Sequence, residues 1–281
     1  MKRETEPPAE AGAPPDDSGV LCRLGPRGER MLVAFGGIAG TGDEPTFEFG
    51  RTAHDLPMQR LNFRDHERSW YHRGVRDVGG NIGEIEDWLR AVIADAAPER
   101  LVMVGASAGG YAAMLFGHRL GADTVHAFGP QTFIDPDMRA QHHEPRWDAE
   151  TSALMRSGRY DARYGDLAAV LRDTPPADPR TRHHVWYCSL EQPDAVHASH
   201  VADLSAVTLH HFTEGWHEIA RWLRDRGRLT EILTASLEGR PIERLPEEAD
   251  PVLLERPTRT WLARRRWRKL KRRGRPHPRS A

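Results

Sequence analysis

Cysteine is nearly absent from this 281-residue chain, and the two that occur, Cys22 and Cys188, lie far apart. A disulfide scaffold is therefore not implied, and a reducing cytoplasm is the expected setting. Long apolar runs are missing as well. No stretch of the sequence is long enough to span a bilayer, and the opening MKRETEPPAEAGAPPDDSG lacks the apolar core of a secretory leader, so no signal peptide is expected. No G-x-G-x-x-G phosphate-binding turn occurs. A further deficit is local. From Arg256 to Ala281 there are twelve Lys and Arg and no acid, which leaves 28 basic against 41 acidic residues elsewhere, a net −13. The overall charge of −1 thus hides an acidic body carrying a cationic tail.

What is present indicates one large core with tails. Residues 1–18, rich in Pro, Ala, Glu and Asp, are expected to be disordered. Beyond them short apolar runs alternate with longer periodic ones. Strands are predicted at 20–24, 31–35, 59–64, 101–105, 124–128, 184–190 and 206–212. Helices are predicted at 81–96, where Ile82, Ile85, Trp88, Leu89 and Val92 fall at helical spacing, and at 108–120 and 216–238. That alternation specifies an α/β fold, a largely parallel sheet with helices on both faces. Residues 130–182 break the rhythm. They are polar and turn-rich, with room for two short helices, and read as a small polar lid insertion within a domain spanning 19–240. Residues 241–281 read as a linker and a basic amphipathic tail.

The densest chemical signal is LVMVGASAGG at 101–110. An apolar strand runs into Gly105-Ala106-Ser107-Ala108-Gly109, and a helical run follows at once. A G-x-S-x-G sequence between strand and helix is a nucleophile elbow, in which the serine is lifted clear of the sheet edge. The glycines two before and two after relieve the crowding of so sharp a turn. The competing reading is a glycine-rich strand–helix turn with an idle serine.

A serine hydroxyl needs a base, and the base needs an orienting acid. The strand HVWYCSL is followed by Glu191 and Asp194, and the strand AVTLHHF by TEGWHEIARWL, which offers His217 at a helix start. We assign Ser107 as nucleophile, His217 as general base and then acid, and Asp194 as the group orienting the imidazole, with Glu191 in reserve. The chain has 15 histidines, so His217 could be accidental, and Asp194 could serve only as a helix cap. Gly36-Gly37, after the strand MLVAF, offers a second oxyanion donor. The expected donors are the backbone amides of Gly37 and Ala108, unless the two glycines merely make a tight turn.

Other residues carry weaker signals. Gly36, Trp70, Tyr71 and Gln131 are expected near the carboxyl edge of the sheet, where α/β ligands collect. Trp70 and Tyr71 would suit a sugar, or would simply pack their loop down. His142/His143 and His197/His200 lack companions at metal-ligand spacing, so no metal and no cofactor are expected. Trp261, Leu262, Trp267 and Leu270 are interleaved with the basic residues of the tail. Such a segment suits an anionic membrane surface and less well nucleic-acid phosphates, which the acidic body would repel. A tail with no function is the plain alternative.

From residue 20 to 238 the chain resembles the α/β-hydrolase superfamily, on GASAGG, the strand before it, and the later Asp…GWH pair. More loosely, GYAAMLFGHRLGADTVHAFGPQTF and RDHERSWYHRGV resemble uncharacterised hydrolase-like proteins associated with bacterial surface-glycan biosynthesis. The first resemblance implies an eight-stranded, mostly parallel sheet and serine-dependent acyl chemistry on an ester or thioester of a small molecule or glycan. Two departures stand out. Ala106 and Ala108 flank the serine where the superfamily often has a bulky residue, and a polar insert replaces a long apolar cap. The other reading is a non-catalytic accessory module of membrane-associated glycan biosynthesis, peripheral at the inner membrane surface.

Overall fold

The computed structural model describes residues 17–38, 47–50, 52 and 58–265. The expected disordered segment up to residue 16 and the basic stretch 266–281, with Trp267 and Leu270, lie outside the described residues. Seven strands form one sheet: β1 (Val20–Arg23), β2 (Met31–Phe35), β3 (Gln59–Phe63), β4 (Leu101–Ala106), β5 (Thr124–Phe128), β6 (Arg182–Cys188) and β7 (Val207–Phe212). Their order is β1-β3-β2-β4-β5-β6-β7. Only β1, against β3, is antiparallel. The fold class matches the expectation, with seven strands among the described residues where eight were implied.

Burial follows the pleat. All five residues of β2 are buried. Met31, Val33 and Phe35 join one apolar cluster, while Leu32 and Ala34 join another. Alternate residues of one strand feeding two cores is the mark of a sheet covered on both faces. The first cluster takes α1 (Ile82–Ala96) and α2 (Ala108–Leu120), through Ile82, Ile85 and Leu89 and nearly the whole of α2. Asn81 starts α1 by accepting the Glu84 amide, while Glu84 returns a carboxylate oxygen to the Gly80 amide.

The region 130–182 forms α3 (Pro136–Gln141), α4 (Asp148–Arg156), a 3-10 turn at Ala162–Tyr164 and α5 (Leu167–Asp173). Aspartates cap most of these: Asp135 for α3, Asp161 for the 3-10 turn and Asp166 for α5. α6 (Gln192–His200) follows β6. The single helix expected over 216–238 is instead three pieces: a 3-10 turn at Trp216–Glu218, α7 (Ile219–Arg224) and α8 (Arg228–Leu237). Gly227, at φ 76°, breaks the run between α7 and α8. These pieces supply Ile219, Leu223, Leu229 and Leu233 to the second cluster.

Residues past α8 pack back onto the domain. The Ala249 amide bonds to the His211 carbonyl, and Trp261 donates its indole N–H to the Leu190 carbonyl. Among the described residues no helix is long and apolar enough to cross a membrane.

The strand order reverses at β2: the chain leaves β2 for β3 on one side and returns to β4 on the other. The carboxyl ends of β2 and β4 therefore mark the switch point of the sheet, the place where open α/β sheets bind ligands. Phe35 pairs with Gly105 in the ladder, so Gly36-Gly37 and Ala106-Ser107 emerge side by side.

Candidate active site

Ser107 sits between β4 and α2 at φ 55°, ψ −120°, a conformation that costs about 1–3 kcal/mol and persists only where the surroundings enforce it. The enforcement is visible around the elbow. A side chain on Gly105 would meet the Gly109 carbonyl oxygen at 2.0 Å, and one on Gly109 would meet the Phe35 oxygen at 2.0 Å. Only glycine at both positions lets β2, β4 and α2 approach so closely. The Ser107 amide is tied to the Phe128 carbonyl at 2.9 Å.

The structure brings the three expected residues together. His217 Nε2 lies 3.1 Å from Ser107 Oγ. His217 Nδ1 lies 2.8 Å from Asp194 Oδ2 and 3.0 Å from Oδ1. The Nδ1 proton therefore points at the carboxylate, which leaves Nε2 as the acceptor for the serine hydroxyl. Beneath this contact Gly129 adopts φ +52°, and a Cβ there would stand 3.1 Å from His217 Nδ1 and 3.3 Å from Asp194 Oδ2. Glu191, the reserve acid, takes another course. Its carboxylate lies 3.9 Å from Arg146 and 3.5 Å from Arg265, and no contact with His217 is within hydrogen-bond range among the described residues.

Gly37, expected as the second oxyanion donor, lies beside the elbow with its amide bonded to the Glu48 carboxyl. A Cβ on it would lie 3.5 Å from the Ser107 Cβ. The Ala108 amide opens α2, where helical N–H groups have no partner within the helix.

Gln131 has a closer relation to the nucleophile than a substrate-lining role implies. Its side-chain amide lies 3.0 Å from Ser107 Oγ through Nε2, and its Oε1 accepts the Trp70 indole N–H at 3.2 Å. An indole nitrogen only donates, so the amide is oriented with Nε2 toward the serine. Ser107 Oγ thus accepts from Gln131 and donates to His217. Trp70 and Tyr71 do not face an open surface. Both rings are fully buried, which corrects the expectation of a sugar-stacking pair: they belong to the frame behind the serine.

The largest feature missing from the sequence reading is Arg146. It is buried and gives Nη1 to Asp194 Oδ1 at 2.6 Å, while Nε and Nη2 clasp Glu144 at 2.9 Å each. Glu144 also receives His197 Nε2 at 2.9 Å, and His197 Nδ1 accepts the Thr132 amide at 3.1 Å. Burial alone would push the Asp194 carboxyl up, but the charges of His217 and Arg146 hold it below the usual aspartate range. Glu144 is held well below its ordinary value in the same way, against its own burial, chiefly by Arg146. His197 is pushed down to about 4 by burial, against the pull of Glu144, and so stays neutral. The region 130–182 thus supplies, in Arg146, the counter-charge of the carboxylate that His217 contacts.

Half-buried Glu48 adds an acidic group beside Gly37. A Cβ on Gly37 would lie 3.5 Å from its Oε1. Burial raises its carboxyl to about 7, against the pull of the Gly37 amide and the His217 charge. A carboxyl raised by folding stabilises fully only below its unfolded value, and that contribution is lost as pH rises through about 7. Glu48→Gln is thus expected to match the wild type in urea unfolding at pH 4.5 and to exceed it by roughly 2–3 kcal/mol at pH 8. Equal curves at both pH values would refute this account of Glu48.

Sheet order, switch point and elbow together define the α/β-hydrolase fold, and comparison with solved structures agrees. Over 77% of this chain and 92% of theirs, it resembles the capsule O-acetyltransferase of Neisseria meningitidis serogroup A, with a TM-score of 0.56 and 15% identity. It also resembles a fluorophosphonate-binding serine hydrolase of Staphylococcus aureus, with a TM-score of 0.50 and 14% identity over 73% of this chain and 83% of that one. A Staphylococcus aureus protein of unknown function aligns with a TM-score of 0.51 and 12% identity, over 78% of this chain and 93% of that one. No family model and no curated protein matches the sequence.

Proposed function

We propose that the protein is a serine-dependent acyl-transfer enzyme, an esterase or an O-acyltransferase acting on an ester or thioester. The observation that carries this reading is the continuous contact from Ser107 Oγ through His217 to Asp194, at 3.1 Å and 2.8 Å. Ser107 Oγ attacks the acyl carbonyl carbon as its proton passes to His217 Nε2. The carbonyl oxygen becomes an oxyanion facing the Gly37 and Ala108 amides. The tetrahedral adduct collapses, and the leaving alcohol or thiol takes the proton from His217. Water or an acceptor hydroxyl then gives its proton to His217 and bonds to the acyl carbon, and Ser107 Oγ leaves with that proton, releasing the acyl group.

A small acyl group fits best. Ala106 and Ala108 leave a roomy mouth beside the serine, but the polar insert at 130–182, in place of a long apolar cap, argues against a fatty-acyl tunnel. The likeness to a capsule O-acetyltransferase, one structure of which is in complex with CoA, makes acetyl transfer from a thioester to a glycan hydroxyl the first case to test. A fluorophosphonate probe is expected to label the wild type, and Ser107→Ala is expected to abolish labelling. Equal labelling of the variant would overturn the assignment. A folded wild type that neither labels nor takes an acetyl group from an activated ester or acetyl-CoA would favour a non-catalytic accessory module instead. If acylation is seen, faster deacylation on adding a glycan acceptor marks a transferase, and an unchanged rate marks a hydrolase.

A further inference from the structure

The segment Asp65–Tyr71 holds three non-glycine residues at positive φ: Arg68 at 49°, Trp70 at 52° and Tyr71 at 67°. Aromatic residues rarely occupy that region, and each such residue stores strain. The strain is opposed by one buried carboxylate. Asp65 Oδ2 accepts the Ser69 amide at 2.7 Å and the Tyr71 amide at 3.1 Å. Asp65 itself is fully buried, which lifts its carboxyl to about 6 in spite of these bonds.

The forced turn delivers two side chains to the nucleophile's surroundings. Trp70 reaches Gln131, as described above. Tyr71 donates its hydroxyl to the Gly36 carbonyl at 2.9 Å. That carbonyl belongs to the same peptide unit as the Gly37 N–H. In a planar trans peptide the C=O and N–H point in opposite directions. Anchoring the oxygen on Tyr71 therefore turns the Gly37 N–H away from Tyr71, to the Glu48 carboxyl that accepts it, at a glycine whose Cβ would lie 3.5 Å from the Ser107 Cβ. The other end of the glycine pair is fixed too, because the Gly36 amide bonds to the Phe63 carbonyl at 2.9 Å. A diglycine has no side chains of its own to set this orientation.

We infer that Tyr71 is a positioning residue of the acyl-transfer site: its hydroxyl, held by the Asp65 turn, aligns the Gly36–Gly37 peptide so that the Gly37 amide meets the developing oxyanion. The inference rests on the proposed acyl-transfer reading. Burial and the neighbouring Asp65 and Glu48 charges keep the Tyr71 hydroxyl protonated far above neutral pH, so it remains a donor throughout the working range.

Tyr71→Phe tests it. The ring and its edge-on contact with Phe35, centroids 5.6 Å apart at 88°, are retained, and only the hydroxyl is lost. With p-nitrophenyl acetate we expect kcat to fall about 10–100-fold, somewhat less than for removing an oxyanion donor outright, with KM within about twofold. Affinity for a trifluoromethyl ketone, which forms a tetrahedral oxyanion on the serine, should fall by the same factor as kcat/KM. General loosening of the fold would not produce that matched loss. Unchanged kcat and ketone affinity in folded Tyr71→Phe would overturn the inference. If this variant fails to fold, Asp65→Asn serves, with the same matched loss expected at about tenfold and with unchanged values again overturning it. Failure of the underlying reading looks different: the wild type itself would then show no Ser107-dependent labelling.

Discussion

Asp194→Asn is expected to lower kcat about 10⁴-fold at neutral pH, with the protein folded and KM little changed. The size of the effect follows from Arg146 and from isostery. Arg146 Nη1 sits 2.6 Å from Asp194 Oδ1, so the oxygen of an asparagine would be captured there. Its NH₂ would then occupy the place of Oδ2, 2.8 Å from His217 Nδ1. A donor in that position forces Nδ1 to accept, and the imidazole proton moves to Nε2. Facing Ser107, Nε2 then has no lone pair with which to take the hydroxyl proton. The rate of fluorophosphonate labelling and the turnover of p-nitrophenyl acetate both measure this. Stability should change little, because Glu144 still compensates Arg146. A loss of less than tenfold would mean that Asp194 does not set the tautomer, and Glu191, three residues earlier, would need the same substitution.

Legibility in the sequence divides along a physical line. The elbow can be read because every requirement is local: the strand, the two glycines and the helix lie within twenty residues, and the backbone crowding at Gly105 and Gly109 is of the kind only glycine relieves. Asp194 and His217 are accessible because each follows a recognisable strand, and in a parallel sheet such loops share one edge. Arg146 and Glu144 escape the same reasoning. Apart from each other, their partners Asp194 and His197 are 48 and 53 residues away in chain order, and in a polar insert they look like ordinary solvated charges. Trp70 and Tyr71 mislead for a different reason. An aromatic pair in a loop at the sheet edge suggests a ligand platform, and nothing in the sequence announces the positive φ values that turn both rings inward. The break of 216–238 into pieces is a milder case, since Gly227 is visible but its φ is not.

Arg146→Met is expected to destabilise the protein by about 3–5 kcal/mol at pH 8, the usual cost of stripping one partner from a buried ion pair. In a domain of this size that is a fall in Tm of about 10 °C. The substitution preserves bulk while leaving Glu144 and Asp194, both buried, without their cation. In the wild type both carboxyls are held below their ordinary values, so their contribution is full above the unfolded carboxylate range and is lost on acidification. Without Arg146, burial dominates and raises both, and the sign reverses: the contribution is then lost as pH rises. The stability gap between wild type and variant should therefore close only in strong acid, stand open already at pH 4.5 and widen further toward pH 8, as measured by thermal unfolding across that range. Catalysis should suffer separately, since an Asp194 that takes up a proton no longer holds the His217 proton on Nδ1. A gap independent of pH would show that Arg146 serves by packing alone. Unlike Asp194→Asn, this variant would lose stability and activity together, and the contrast between the two separates the charge that orients His217 from the charge that keeps that acid ionised.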